Sequence, residues 1–346
     1  EKKLTGGRNG YGAKLANIYS HEFTVETADK NTSQKYKQTW TDNMSKCGTA
    51  KITKNSKGEE YTRITFRPDL KRFGMDRIDD DTLGLLKKRV YDMSGTVKNV
   101  KVYLNDERLK IKDFKSYVDM YIKSTQEEVS EKSGGAAQPK QAVVHEVVNQ
   151  RWEVAYALSP DGSFQHVAFA NSIATTKGGT HVDYIANQIA KNLVAAVSKK
   201  NKGAAVKAAQ IKNHMWLFVN ALIENPTFDS QTKETLTLPA AKFGSKPTLS
   251  EDFFKKGGST VFVQYNSFTD SLAVAKSGIV DNVLNWAKFK AAQQIKKTDG
   301  TKRSRCDIYF TEIYHRSCIR SDCLASQSFQ TLTMLGRRRP GIAHSS

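Results

Sequence analysis

Cysteine is scarce in this sequence: 346 residues contain four, and three of them (Cys306, Cys318, Cys323) lie beyond residue 302. No two stand in C-x-x-C spacing, so no disulfide framework is encoded and a reducing compartment is expected. Long apolar runs are also missing. No stretch approaches the roughly 18 consecutive apolar residues of a spanning helix, and no charged-then-apolar leader opens the chain, so neither a membrane span nor a signal peptide is expected. Acidic residues are in deficit, 35 against 54 Lys and Arg, for a formal charge of +19 and a pI near 9.6. That excess points to a polyanionic partner (nucleic acid, phosphates or an acidic membrane face), with nucleic acid favoured. A solvated basic surface is the plain alternative.

What is present suffices for a sizeable core. The hydrophobic fraction is 38% and the aromatic fraction 10%, and at about 100–200 residues per domain the length suggests two domains. Period-two segments at Glu22–Thr27, Tyr36–Trp40 and Tyr61–Phe66 predict strands. Leu83, Leu86, Val90 and Met93 predict a helix over 79–93. A strand at Val100–Leu104 and a short helix at Phe114–Ile122 follow, and the composition of Ser130–Gln138 reads as a loop. A second block of strands is predicted at Val143–Val148, Trp152–Leu158, His166–Phe169 and Met215–Ile223. It surrounds an amphipathic helix over 182–197, and a late helix is expected at Val280–Ile295. The fold class is α+β.

The chemistry concentrates at Gly6-Gly7-Arg8-Asn9-Gly10-Tyr11-Gly12-Ala13-Lys14-Leu15. Four glycines allow left-handed backbone and close approach of N–H groups to an anion. The helix that follows aims its free N–H groups and dipole at the same point, and Arg8 and Lys14 add charge. Together these favour a polyphosphate. The stretch is neither a P-loop, because Ala13 and Lys14 follow Gly12 where Lys and a hydroxyl residue are required, nor a dinucleotide loop, because Leu15 occupies the third glycine position and no strand precedes. His145, His166, His181 and His214 have no metal-ligand spacing and read as structural.

The same ten residues resemble the phosphate motif of the eukaryotic type II DNA topoisomerases, members of the GHKL ATPase superfamily. Further matches run in the family's order: Thr24-Val25-Glu26-Thr27-Ala28, Lys37-Gln38-Thr39-Trp40-x-Asp42-Asn43-Met44, Ser116-Tyr117-Val118-Asp119-Met120-Tyr121, Asn171 through Tyr184, and Asn220 through Glu234. The resemblance covers roughly residues 1–300. It implies the C-terminal part of a GHKL ATPase sandwich over 1–112, a transducer domain of mixed sheet and packed helices over 113–300, and an atypical tail over 301–346. It also implies that Arg8, Asn9, Gly10, Tyr11, Gly12, Ala13 and Lys14 contact ATP, mostly through backbone N–H groups. Gln231 and Lys233 would reach the nucleotide from the transducer, Lys233 sensing the γ-phosphate. Lys199, Lys200 and Lys202 would face duplex DNA. Mg²⁺ accompanies ATP in the family, the parent protein is a homodimer, and its compartment is the nucleus.

Departures from the family pattern carry expectations of their own. The family's general-base glutamate, magnesium-binding asparagine and adenine-binding Asp-x-Gly-x-Gly all precede the loop. A chain opening at Glu1 is therefore expected to be an N-terminally truncated fragment, inactive alone and poorly soluble. Cys306–Glu312 only faintly resembles the approach to the cleavage domain's metal motif, so no cleavage tyrosine is expected. Gly257 to Ala273 matches nothing in the family. Beyond residue 302 there are seven Arg and no Lys, against 39 Lys and eight Arg before it, which suggests a tail of different origin. Two other readings remain open: a DNA-binding fragment without catalysis, and another GHKL ATPase of chaperone or mismatch-repair type.

Overall fold

The computed structural model describes residues 2–7, 9–132, 141–200 and 206–258. All of these fall in the first of two compact units, Glu1–Trp286. The expected helix at 280–295, the tail, and all but the first two residues of the segment from Gly257 to Ala273 lie outside the described residues.

The chain opens with an extended stretch and helix α1 (Tyr11–Ile18), followed by β1 (Ser20–Asp29), β2 (Gln34–Thr41), β3 (Lys46–Cys47), β4 (Lys51–Lys54) and β5 (Tyr61–Pro68). These strands form an antiparallel sheet in the order β3-β2-β1-β5, with β4 also paired to β2. Alternation along β1 separates two faces. On one, Phe23 stands opposite both Trp40 and Phe66, with ring centroids 6.4 and 6.3 Å away. On the other, Thr24 and Thr39 join hydroxyls at 2.9 Å, and Glu26 lies between Lys37 and Arg63. Helix α1 packs on β1 and β5, and Leu15, Ala16, Tyr19, Phe66, Pro68 and Phe73 line an apolar groove beside it. Ile64 and Phe66 of β5 remain about half exposed.

After a 3-10 turn at Leu70–Phe73 comes α2 (Asp80–Thr96), started by Asp79, whose side chain accepts the Thr82 N–H at 2.7 Å. The expected strand over 100–104 shrinks to a two-residue hairpin, β6 (Tyr103–Leu104) with β7 (Glu107–Arg108). Its turn residues Asn105 and Asp106 both take positive φ and reverse the chain at once. Helix α3 (Phe114–Lys132) begins where Asp113 and Ser116 exchange bonds: Ser116 N–H donates to Asp113 Oδ1 at 2.7 Å, and Asp113 N–H donates to Ser116 Oγ at 3.1 Å. It runs ten residues past the expected end at Ile122, because Gln, Glu, Lys and Ser sustain an exposed helix without apolar periodicity. Ser130 to Lys132, expected in a loop, are its last turn.

The second sheet comprises β8 (Val144–Asn149), β9 (Trp152–Leu158), β10 (Gln165–Ala170), β11 (Ile173–Ala174) and β12 (Met215–Ala221), in the order β11-β10-β12-β9-β8. Its one parallel pair, β10 with β12, needs a crossover, and α4 (Thr180–Lys200) with the short α5 (Ala208–Lys212) supplies it. Strands β9 and β12 are apolar on both faces because both are covered. On one side, Ala155, Ala157, Phe169, Trp216 and Phe218 pack against Phe114, Tyr117, Val118 and Ile122 of α3. On the other side, Val182, Ile185, Ile189 and Leu193 of α4 are buried. Trp152 meets Phe243 there, and Tyr156 meets Phe253 of α6 (Glu251–Gly258).

Polar ties lock α2 to this second layer. Asp92, almost wholly buried, accepts from the Tyr117 hydroxyl at 2.6 Å and from Lys88 Nζ at 3.0 Å. Desolvation first, then Tyr121 and Asp92 beside it, push the Tyr117 hydroxyl far above the ordinary phenol range. Asn220 of β12 donates to the Thr96 carbonyl at 3.1 Å, and Lys98 pairs with Glu153 at 3.6 Å.

Candidate functional site

The glycine-rich stretch passes into α1 through Gly10, whose φ of +68° places the helix cap in the left-handed region. No side chain caps this end, so the first-turn N–H groups have no intrahelical acceptor and face outward. Asn9, Gly10, Tyr11, Gly12, Ala13 and Lys14 are all exposed. Arg8 lies outside the described residues. This arrangement suits an anion, because N–H donors and a lysine share one exposed turn.

A second loop arrives from beyond β12. Residues 227–237 fold back as a short hairpin: Thr237 N–H donates to the Thr227 carbonyl at 2.9 Å, Phe228 bridges Leu236, and a ring closes between Asp229 and Thr235, with Asp229 N–H donating to the Thr235 carbonyl at 3.2 Å and Asp229 Oδ1 accepting the Thr235 N–H at 3.2 Å. Desolvation works against ionisation of Asp229. The bonds from Thr235 and Ser230 outweigh it and hold the carboxyl below its usual range. At the tip stand Gln231, exposed, and Lys233, half-buried with a left-handed φ of +60°. For a lysine that backbone is uncommon, and such strain persists only where the surroundings enforce it. Here Lys233 N–H donates to the Ser230 carbonyl at 3.2 Å.

The hairpin is riveted to the turn that starts α4. Leu236 forms a parallel bridge with Gly179, taking the Thr180 N–H at 3.0 Å and giving its own N–H to the Gly178 carbonyl at 3.1 Å. Lys177 pairs with Glu234 at 2.6 Å, an interaction that raises the lysine's pKa.

The two loops meet. A β-carbon added at Gly7 would stand 4.0 Å from Lys233 Nζ, so the ammonium lies against the glycine-rich stretch. Lys3 and Asn225 also join across the two segments, Asn225 N–H donating to the Lys3 carbonyl at 2.9 Å. Of the expected site residues, Lys233 is brought to the loop. Gln231 is on the same tip, and Lys14 lies on the exposed first turns of α1. Lys199 and Lys200 end α4, and Lys202 lies outside the described residues. Sequence reasoning assigned no role to Lys177, Gly178, Gly179, Asp229 or Glu234. Their signal was a glycine pair at a helix start and an Asp-Ser cluster typical of turns.

Two of the four histidines read as structural have defined polar partners. His181, fully buried in the first turn of α4, meets the Thr175 hydroxyl at 3.1 Å. His145 pairs with Glu153 at 2.8 Å. Among the described residues no three His, Cys, Asp or Glu side chains converge as a metal site, and no helix is long and apolar enough to cross a membrane.

An antiparallel half-sandwich opening on a glycine-rich loop, followed by a sheet-and-helix layer that returns a lysine to that loop, is the architecture of a GHKL ATPase joined to its transducer. The comparisons agree. The chain belongs to the DNA gyrase B family, whose model matches residues 113–302. It is 53% identical over 307 residues to DNA topoisomerase 2-alpha of Cricetulus griseus, a match covering 88% of this chain and 18% of that protein. The chain thus spans about a fifth of the length of such relatives. Among solved structures, it is similar to the ATPase region of Saccharomyces cerevisiae topoisomerase II, with 50% identity, a TM-score of 0.65, and coverage of 74% of this chain and 62% of that one. It is also similar to the ATPase and transducer domains of DNA topoisomerase II from Balamuthia mandrillaris, with 41% identity, a TM-score of 0.71, and coverage of 84% and 67%.

Proposed function

We propose that this chain is part of the ATP-operated gate of a type II DNA topoisomerase, in which the glycine-rich loop and Lys233 together hold the triphosphate of ATP. The observation that carries the reading is the approach of Lys233 Nζ to Gly7. Phosphoryl groups are handled mainly by positioning and charge neutralisation. A loop of N–H donors from one layer and an ammonium from the next would therefore both be engaged by a γ-phosphate lying between them. In this reading Arg8, Asn9, Gly10, Tyr11, Gly12, Ala13 and Lys14 line the phosphates, Gln231 accompanies Lys233, and the layers divide at 112/113. The ATP state would then bias open against closed gates and drive passage of one DNA duplex through another, in a nuclear homodimer. Among the described residues no three His, Cys, Asp or Glu side chains converge to hold the Mg²⁺ expected with the nucleotide.

The test is nucleotide binding measured with a non-hydrolysable ATP analogue and with ADP. Wild type is expected to prefer the triphosphate. Lys233→Ala should lose about tenfold or more of that preference, the scale of one charge-assisted contact, while ADP affinity holds. Equal loss for both nucleotides would sink the sensor role.

The same reading assigns Lys199, Lys200 and Lys202 to sequence-independent contacts with DNA phosphates. Neutralising all three should lower the slope of log K against log salt by about 3, since each phosphate contact releases roughly 0.9 counterion. Binding of a random-sequence duplex between 50 and 200 mM salt reads this out. An unchanged slope would remove these lysines from the interface.

A further inference from the structure

The contacts between the first residues and the second sheet go beyond Lys233. Asn171 and Ser172, with φ of +52° and +61°, form the tight turn between β10 and β11. Its Asn171 side chain is clamped on both sides by Ile223: Oδ1 accepts the Ile223 N–H at 2.7 Å, and Nδ2 donates to the Ile223 carbonyl at 2.9 Å. The turn is therefore fixed to the strand end from which the Lys233 hairpin departs. Gly6 rests directly on it. A β-carbon there would fall 2.0 Å from Ile173 Cδ1 and 3.5 Å from the Asn171 carbonyl oxygen. Three residues earlier, the Lys3 carbonyl accepts from Asn225 N–H, and Lys3 N–H points to Asn225 Oδ1 at 3.4 Å. Asn225 itself has a φ of +46°, and Lys2 pairs with its neighbour Glu224 at 3.5 Å.

We propose that Ile173 and Asn225 are positioning residues that form a floor under the glycine-rich loop, so that the loop and Lys233 are held in one register by the second layer rather than meeting only through the nucleotide. The inference rests on the reading that this loop binds a triphosphate. It assigns Gly6 a job separate from phosphate contact: its missing side chain lets the loop lie on Ile173. The floor sets the distance between the loop's N–H groups and the Lys233 ammonium. Lifting the loop would therefore weaken the γ-phosphate contact more than contacts to the other phosphates.

The experiment compares the affinity ratio of a non-hydrolysable ATP analogue to ADP in the full chain. The variants are Gly6→Val, the pair Gly6→Val with Ile173→Ala, and Asn225→Gly, which keeps the left-handed backbone while removing the side-chain acceptor. Gly6→Val is expected to cut the ratio about tenfold. Ile173→Ala should restore most of it, because the space it opens accepts the added side chain. Asn225→Gly should lower the ratio in the same direction by less. A merely structural role would move both affinities together and leave the ratio alone, and that result overturns the proposal. So would a reduced ratio that Ile173→Ala fails to rescue. A wild-type chain without triphosphate preference would remove the functional reading, and the floor's role with it. A wild-type preference untouched in every variant would remove the floor alone.

Discussion

Gly179→Ala is expected to cost about 2–6 kcal/mol and to release the Lys233 hairpin from the start of α4. Two penalties add at this residue. Its φ of +130° lies where an L side chain is strained, worth roughly 1–3 kcal/mol. The new β-carbon would stand 2.3 Å from the Leu236 carbonyl oxygen and 2.5 Å from its nitrogen. Both are backbone atoms that cannot rotate aside, and overpacking of this kind costs about 1–3 kcal/mol more. The cheapest escape is separation of the 227–237 hairpin from the 177–180 turn. That breaks the Gly178–Leu236 and Thr180–Leu236 bonds and the parallel bridge. Gly58→Ala is the matched control: its φ is +60°, with nothing within 4 Å of an added β-carbon, so only the backbone term of about 1 kcal/mol applies. Urea unfolding gives the two costs, and amide exchange at Leu236 locates the first. Equal destabilisation by the two substitutions would mean that the hairpin is not held through Gly179.

How much of this was legible in the sequence depends on the range of the forces involved. Strand and helix positions followed from periodicity wherever a segment buries one face, as at β1, β2 and α4. Periodicity gave no warning for the second half of α3, where polar residues continue the helix on the surface, or for the two-residue hairpin at 103–108. The glycine-rich loop stood out from its composition alone as a stretch suited to an anion. Lys233 was not: a lone lysine in a polar turn has no local signature, and only the family resemblance singled it out. Its placement beside Gly7 depends on contacts more than 200 residues apart in sequence, which no local pattern encodes. The roles of Gly6 and Gly179 were hidden for the same reason. Each glycine is required by an atom from a distant segment, Ile173 in one case and Leu236 in the other.

The same junction should be acid-sensitive through His181. The ring is fully buried, and Thr175 fixes its tautomer. The single proton of the Thr175 hydroxyl is directed to the Ala168 carbonyl at 3.1 Å, so His181 Nε2 must donate to Thr175 Oγ1. Nδ1 is then an unprotonated nitrogen with no partner among the described residues. Desolvation, with His166 nearby as a smaller contribution, lowers the pKa of His181 to about 3. In the unfolded chain it returns to about 6.5. A folded value below the unfolded one means that the unfolded state takes up the proton first. The stability contribution is thus complete above about pH 6.5 and is lost progressively as the pH falls toward 3. At pH 5.0 the loss from His181 alone is about 2 kcal/mol. His166 and His214, both lowered by burial with Asp183 partly opposing the shift at His166, act in the same direction. Carboxylates held low by hydrogen bonds, such as Asp113 and Asp229, release their share only nearer pH 4, which leaves pH 7 to 5 to the histidines. Urea midpoints measured across that window should fall with pH, and His181→Gln, which keeps a donor for Thr175, should flatten the fall by about 2 kcal/mol. Because Thr180 beside it donates to the Leu236 and Leu238 carbonyls at 3.0 and 2.6 Å, protonation that displaces the ring loosens the seat of the Lys233 hairpin. An unchanged slope in His181→Gln would show that the ring is not held neutral in the folded chain.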